Sequence, residues 1–246
     1  MLRIHSSFHK CLTMYFIRIM DTLYNKGRLR KDRYRHFESL EGMFYNLNKK
    51  YRINSINNFA IDLDRLEDDF RITRFIRDPR DMIVSGYFYH KRGAEPWFRM
   101  KNPNPKYWAP INGNIPNGMK AGESYTDFLN RLPKDEGLIA EIEFRKFHFE
   151  SMLQWSDDNR IKLFKYENIL GNEISTFKEI FDFYELSFFE KKLGLTLADW
   201  LSIKKLGGRS KHVRNASTGQ WKEHFSPKVL DYFNENYQEV LDKYQY

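Results

Sequence analysis

Residues 71–90 read Arg-Ile-Thr-Arg-Phe-Ile-Arg-Asp-Pro-Arg-Asp-Met-Ile-Val-Ser-Gly-Tyr-Phe-Tyr-His. Ile72, Phe75 and Ile76 form a short apolar run of strand type, and Asp78-Pro79 ends it. Met82, Ile83, Val84 and Tyr87 then resume an apolar pattern at helical spacing. Asp78 suits an N-cap, Pro79 suits the first helical position, and Asp81 falls three residues after the cap. Pro79 also keeps Asp78 out of the α region, as a cap requires. The stretch predicts strand, turn and helix, with Arg77 at the strand tip beside a helix N-terminus and Ser85 two turns along. A guanidinium fork, a hydroxyl and a positive helix end make an oxyanion site. The plainer reading is a strand–turn–helix with an ordinary surface arginine.

Working outward, Leu2 to Phe8 reads as a strand and Thr13 to Tyr24 as a helix stopped by Gly27. Glu38 to Lys50 has a helical pattern, Phe59 to Ile61 reads as a short strand, and Arg160 to Glu167 as a strand with Tyr166 near its end. Helices are expected over 125–132, 138–155, 177–184 and 190–201, and a last one from Pro227. Residues 93–122 hold most of the prolines together with Trp97 and Trp108, an irregular excursion of the kind that serves as a substrate lid. Gly207-Gly208 opens a basic loop that runs to Trp221. Strands alternating with helices predict an α/β fold with a central, mostly parallel sheet flanked by helices. No repeat or linker divides the 246 residues, so one domain over 1–246 is expected, with 93–122 as its lid-like insertion.

Apolar residues make up 41% of the chain and charged residues 30%, the balance of a folded globule with a polar surface. No run approaches the ~18 apolar residues of a membrane span. The first residues, Met-Leu-Arg-Ile-His-Ser-Ser-Phe, lack the apolar segment of a signal peptide, so a cytoplasmic protein is expected. One cysteine, Cys11, excludes an intramolecular disulfide and a cysteine-rich metal site. The net charge of +8 favours an anionic partner: nucleic acid, anionic lipid or a phosphorylated small molecule. The densest basic cluster, Lys26 to Arg35, reads either as a solvated loop or as a channel for an acidic substrate.

Between the first strand and the first helix lies Phe8-His9-Lys10-Cys11-Leu12-Thr13-Met14. Nucleotide-binding α/β folds wrap backbone N–H groups around a phosphate at this turn. A Walker A motif is absent, because Gly-x-x-x-x-Gly-Lys-Ser/Thr does not occur.

Four segments, in order, now resemble one family, the sulfotransferases that use 3′-phosphoadenosine-5′-phosphosulfate (PAPS). Lys10 with Thr13 resembles their 5′-phosphosulfate loop, Pro-Lys-x-Gly-Thr-Thr. Arg77-Asp-Pro-Arg-Asp81 followed by Ser85 resembles their 3′-phosphate motif. Lys-Tyr166-Glu167-Asn168-Ile169 is similar to their Tyr-Glu-Asp-Leu/Met strand end. Arg214-Asn-Ala-Ser-Thr-Gly219-Gln-Trp221-Lys222-Glu-His-Phe225 is similar to their Arg-Lys-Gly-x-x-Gly-Asp-Trp-Lys-Asn-His-Phe segment. The resemblance implies a P-loop-like sulfotransferase fold and transfer of a sulfuryl group from PAPS to a hydroxyl or amine of a carbohydrate or small molecule. Bacterial and carbohydrate-type members are the nearest in flavour. It implies that Lys10 and the N–H groups of Cys11, Leu12, Thr13 and Met14 hold the 5′-phosphosulfate. Arg77, Ser85 and Arg214 then hold the 3′-phosphate, and Tyr166 lies by the nucleotide. Lys10 also neutralises charge on the departing phosphate oxygen, leaving 3′,5′-bisphosphate (PAP) as product and requiring no metal.

The chain departs from that pattern at several positions. Leu12 stands for a Gly, Met14 for a second Thr, Tyr15 for a Trp, and Asn215 and Ala216 for Lys and Gly. A leucine calls for ordinary backbone angles, so the loop is expected to close differently. For the catalytic base the relatives use His or Glu between the first two motifs. Here that interval offers His36, Glu38, Glu41 and Asp62. His9 is expected to shape the loop and His90 to be structural; His212 reads as packing or as a phosphate contact. Trp97 and Trp108 could stack on a sugar ring or on a flat aromatic acceptor. The aromatic tail, Tyr244 and Tyr246, hints at a homodimer. Two other readings stay open: a P-loop-related nucleotide kinase, and a nucleic-acid-binding module built on the basic cluster and the many aromatics. The sulfotransferase reading involves no nucleic acid.

Overall fold

A computed structural model describes residues 1–8, 10–26, 33–47, 51–57, 61–108, 111–155, 157–202, 205 and 217–246. The expected α/β class is what it contains. Five strands form one sheet: β1 (Leu2–Ser7), β2 (Tyr34–Phe37), β3 (Ile53–Ile56), β4 (Phe70–Ile76) and β5 (Ile161–Lys165), in the order β2-β3-β1-β4-β5. Every neighbouring pair is parallel. Packing divides the chain into two compact units, Met1–Arg77 with Ser156–Ala216, and Asp78–Trp155 with Ser217–Tyr246.

The first unit holds the sheet with α1 (Thr13–Asp21), α2 (Leu40–Tyr45), α9 (Tyr166–Ile169), α10 (Glu173–Phe183) and α11 (Phe188–Trp200). One sheet face is apolar: Ile4, Ile56, Phe70 and Ile72 pack with Phe37, Met43 and Ile61. Alternation sends Arg3, His5 and Thr73 to the other face. There a polar row crosses the sheet, since His36 pairs with Ser55, Ser55 with His5, and His5 with Thr73 in register. Tyr184 donates its proton to the carbonyl of Ile4 at 2.7 Å, so Thr73 donates to Tyr184 at 2.5 Å and His5 Nδ1–H donates to Thr73 at 2.9 Å. His5 is thereby fixed as the Nδ1–H tautomer. Its ring stacks on Phe16 of α1, centroids 3.6 Å apart, and so seats that helix on the sheet.

Strands β2 and β3 differ from expectation. Tyr34–Phe37 lies in a segment read as a basic loop leading to a helix, and the strand expected at Phe59–Ile61 is instead Ile53–Ile56. Phe59 lies outside the described residues, and Ile61 is a buried non-strand core residue. The helix expected over 38–50 shrinks to α2, capped by Ser39, whose hydroxyl accepts the Gly42 N–H at 3.1 Å.

The second unit is helical: α3 (Pro79–Lys91), α4 (Pro96–Arg99), α5 (Pro105–Trp108), α6 (Tyr125–Arg131), α7 (Lys134–Phe144), α8 (Lys146–Leu153), a short helix Trp221–His224 and a terminal helix Pro227–Tyr244. The helix expected over 138–155 is two, broken at Arg145. A fully buried charged network fastens α3 to α7. Glu141 accepts from His90 Nδ1 at 2.7 Å, Arg145 Nε at 2.8 Å and the Tyr125 hydroxyl at 3.0 Å. Burial penalises the carboxylate, but the charges of His90 and Arg145 with these hydrogen bonds outweigh it and hold Glu141 below the ordinary carboxylate value. Gly86 leaves the room: a Cβ there would lie 2.1 Å from Glu141 Oε1.

The excursion 93–122 is pinned from within. Phe98 lies on His90, centroids 3.9 Å apart, and Trp108 is wholly buried against Tyr125 and Phe144. Trp108 is therefore core and has no face for an acceptor; Trp97 remains 43% exposed. Tyr244 likewise turns inward, donating to the Met152 carbonyl at 2.8 Å, which accounts for half of the aromatic tail without a second copy.

The turn after β1 carries a second correction. Leu12 adopts φ 64°, ψ 16°, the left-handed region expected of the glycine it replaces, and Lys10 has φ 78°. A left-handed leucine costs about 1–2 kcal/mol. Leu12→Gly is therefore expected to stabilise the protein by up to about 1 kcal/mol, raising Tm by about 2–4 °C. A lower melting temperature in that variant would contradict the strain.

Three histidines set an acid limit on both units. Burial pushes His5 and His148 well below the usual imidazole value, and His36 down to about 4. Below the unfolded value near 6.5, the unfolded chain binds protons that the folded chain refuses. Stability therefore falls as pH drops from about 6.5, by up to about 1.4 kcal/mol per pH unit for each histidine. For His36 the loss is complete near pH 4. Urea melts at pH 7.5 and 5.5 check this: the midpoint drops sharply at 5.5, and equal midpoints would refute it.

Candidate active site

Parallel strands present their carboxyl ends at one edge, where α/β sheets bind ligands. In the first unit Ser7 of β1 pairs with Phe75 of β4, and Ile76 of β4 with Lys165 of β5. The Lys10 turn, Arg77 and Tyr166 therefore leave three adjacent strands at the same edge. Arg77 and Tyr166 meet directly: the guanidinium carbon lies 4.3 Å from the ring centroid, and both side chains are buried.

The Lys10 turn opens onto the N-terminus of α1. The N–H of Cys11 is taken by the Phe8 carbonyl at 2.9 Å, and the Cys11 side chain is wholly buried. Cys11 thus tightens the turn and has no N–H for a ligand. By contrast, the N–H groups of Leu12, Thr13 and Met14 meet no acceptor among the described residues, α1 has no side-chain cap, and its first turn has no acidic residue. These orphan donors and the positive end of the helix face the same way, an arrangement that takes an oxyanion. The Thr13 hydroxyl donates to the Phe8 carbonyl at 3.0 Å while Ser7 and Thr13 share a 2.7 Å hydrogen bond, so Ser7 is the donor to Thr13. Thr13 can give its proton to a ligand only by releasing Phe8. Met14 is 42% exposed.

The second strand-to-helix turn is built differently. Asp78 caps α3 with its own carboxylate, accepting the Arg80 N–H at 2.9 Å, and the Arg80 guanidinium folds back onto both Asp78 oxygens at 3.0 and 2.9 Å. The helix end read from sequence as an oxyanion site is thus already filled by a carboxylate. An anion bound at this turn would be met by side chains rather than by the helix dipole. Ser85 lies half-buried on α3.

The candidate bases fall on or after β2, on α2 and in the turn that follows β3. His36 on β2 shares a 2.9 Å hydrogen bond with Ser55, which shares one of 2.6 Å with Tyr34. Every proton in this chain finds an acceptor when Tyr34 donates to Ser55 and Ser55 donates to His36 Nδ1. His36 Nε2 then carries the proton, and the ring titrates only near pH 4. Glu38 is exposed directly after β2, and Glu41 is exposed in the first turn of α2. Asp62 is exposed and accepts the Asp64 N–H at 3.1 Å as the cap of a 3-10 turn, Leu63–Arg65.

His9, His212, Arg214, Asn215, Ala216, Gly207 and Gly208 lie outside the described residues. Two further residues stand at this edge with little signal in the sequence. Ser7 supports Thr13, and its signal was only its place before the turn. Asn57 follows Ile56, which pairs with Ser6, and so stands beside Ser7 at the carboxyl edge; a lone asparagine gives no pattern. Among the described residues no group of histidine, cysteine and carboxylate side chains has the arrangement of a metal site, and no helix is long and apolar enough to cross a membrane.

Comparison with known proteins gives this geometry its family. Two solved structures share the fold over 98% of this chain. They are mouse sulfotransferase SULT7A1 complexed with PAP, 15% identical with 83% of that chain covered and a TM-score of 0.55, and retinol dehydratase in complex with androsterone and the inactive cofactor PAP, 14% identical with 82% covered and a TM-score of 0.50. No curated protein matches the sequence. The sulfotransferase domain model matches residues 45–245, most of the chain including the Arg77, Tyr166 and Arg214 segments, and the protein belongs to the sulfotransferase family.

Proposed function

We propose that this sulfotransferase takes PAPS as its donor, releases PAP, and transfers the sulfuryl group to a hydroxyl or amine. The observation that carries the reading is the uncapped N-terminus of α1 directly behind Lys10, at the edge shared with Arg77 and Tyr166. The PAP carried by both structural neighbours supports the choice of donor.

Lys10 and the N–H groups of Leu12, Thr13 and Met14 hold the 5′-phosphosulfate. Arg77, Ser85 and Arg214 hold the 3′-phosphate, forked guanidiniums suiting it better than a lysine point charge. Tyr166 keeps the Arg77 fork in place beneath the nucleotide. In transfer the acceptor oxygen or nitrogen attacks sulfur in line, and the bond from sulfur to the bridging phosphate oxygen breaks. That oxygen keeps the electron pair, and Lys10 and the helix end stabilise the charge it gains. The acceptor's proton passes to a base. We assign that base to Glu38: it is an exposed carboxylate at a strand's carboxyl end, whereas His36 presents a protonated nitrogen and Asp62 caps a turn.

Thermal unfolding with adenosine 3′,5′-bisphosphate and with AMP tests the donor. The bisphosphate is expected to raise Tm and AMP to do little; equal shifts would remove the 3′-phosphate site. Lys10→Ala should lower kcat by about 10²–10³-fold with the fold intact, and Arg77→Ala should erase the preference for the bisphosphate; retained turnover in the first, or a retained preference in the second, would count against the assignment. Glu38→Gln is expected to cut kcat by about 10²-fold or more while the bisphosphate still raises Tm. Full turnover in that variant would return the role to Glu41 or His36.

A further inference from the structure

Asp81 is wholly buried although it is ionisable and sits in the first turn of α3. Its position three residues after Asp78 suits capping of its own helix, but Asp78 performs that alone. Both Asp81 oxygens are given to another segment. Oδ2 accepts the Gly219 N–H at 2.7 Å and Oδ1 accepts the Trp221 N–H at 3.0 Å. Gly219 has φ 75°, which lets the chain turn so that both N–H groups converge on one carboxylate. Arg80 closes the contact from the side, its guanidinium carbon 3.9 Å from the Trp221 ring centroid. The turn is thus held by two charge-assisted hydrogen bonds and a stacked cation, all from the two residues that follow Pro79.

Asp81 and Ser85 are four apart on α3 and share a helix face one turn from each other. The turn that Asp81 grips therefore lies beside Ser85, with Ser217 and Thr218 exposed on it. We propose that Asp81 is a positioning residue for 3′-phosphate recognition, docking the Ser217–Trp221 turn, with its exposed Ser217 and Thr218, next to Ser85. This rests on reading Ser85 as a 3′-phosphate ligand. A nucleotide ligand role does not suit Asp81: its oxygens accept main-chain N–H groups, and a bare carboxylate beside a phosphate would repel it.

The role predicts a loss confined to one end of the nucleotide. Titration calorimetry of the full chain with adenosine 3′,5′-bisphosphate and with AMP tests it. Asp81→Asn turns one of the two acceptors into a donor facing an N–H. It is expected to weaken the bisphosphate by about tenfold or more and leave AMP unchanged, and Asp81→Glu, which keeps the charge, to recover part of the loss. Should Asp81→Asn not fold, Arg80→Gln lifts the cation from Trp221 and carries the same expectation at several-fold size. A folded Asp81→Asn variant that keeps the wild-type preference, or that loses both nucleotides equally, overturns the positioning role while the 3′-phosphate reading stands. A wild type that fails to prefer the bisphosphate over AMP overturns both.

Discussion

Parallel pairing of β1 with β4, from Leu2 opposite Phe70 to Ser7 opposite Phe75, is the constraint on which the site depends. Two parallel strands paired side by side must finish at the same edge, and each must leave it by a turn into a crossover. Lys10 and Arg77 stand in those two turns. β5 pairs on the far side of β4 and delivers Tyr166 to the same edge. The register needs a well-packed core to hold it. Ile4 and Ile72 supply that on one face, and the His5–Thr73–Tyr184 chain fixes the other.

The two turns solve opposite problems. The first leaves its helix end open, with Leu12 in a left-handed conformation and the N–H groups of Leu12, Thr13 and Met14 without an acceptor among the described residues. The second closes its helix end with Asp78 and uses the next acid, Asp81, to hold a distant turn. One turn offers backbone donors, the other side chains. The chemistry assigned to each follows: a strained, directional cradle where charge develops, and a set of forks where a static phosphate is recognised.

Much of this was legible in the sequence. The strand from Leu2, the apolar run Ile72–Ile76, the Asp78-Pro79 junction and the helix that begins at Pro79 are all visible there, because apolar period and turn chemistry agree. β2 and β3 were missed because their stabilisation is polar. Tyr34, His36 and Ser55 satisfy one another through hydrogen bonds, so neither Tyr-Arg-His-Phe nor Ile-Asn-Ser-Ile shows a two-residue apolar period. Leu12 was misread because residue type favours ordinary angles, whereas the Cys11–Phe8 hydrogen bond and the entry into α1 impose the turn. Trp108, in a proline-rich excursion, is as compatible with stacking on an acceptor as with burial, and only tertiary packing against Phe144 reveals it as core. Asp81 looked like half of a capping box; its true partners lie some 140 residues away, beyond any local pattern.

The open end of α1 differs from a charged patch in how it can tell anions apart. A lysine cluster attracts negative charge from every direction, in proportion to how much of it there is. Orphan N–H donors reward an oxyanion only along the helix axis and only if a single tetrahedral group fits the turn. A long polyanion gathers nothing extra from such a cradle, however dense its charge. In a chain of net charge +8, the diffuse field draws anions in without discrimination, and a helix end of this kind adds a selection by shape that net charge cannot make.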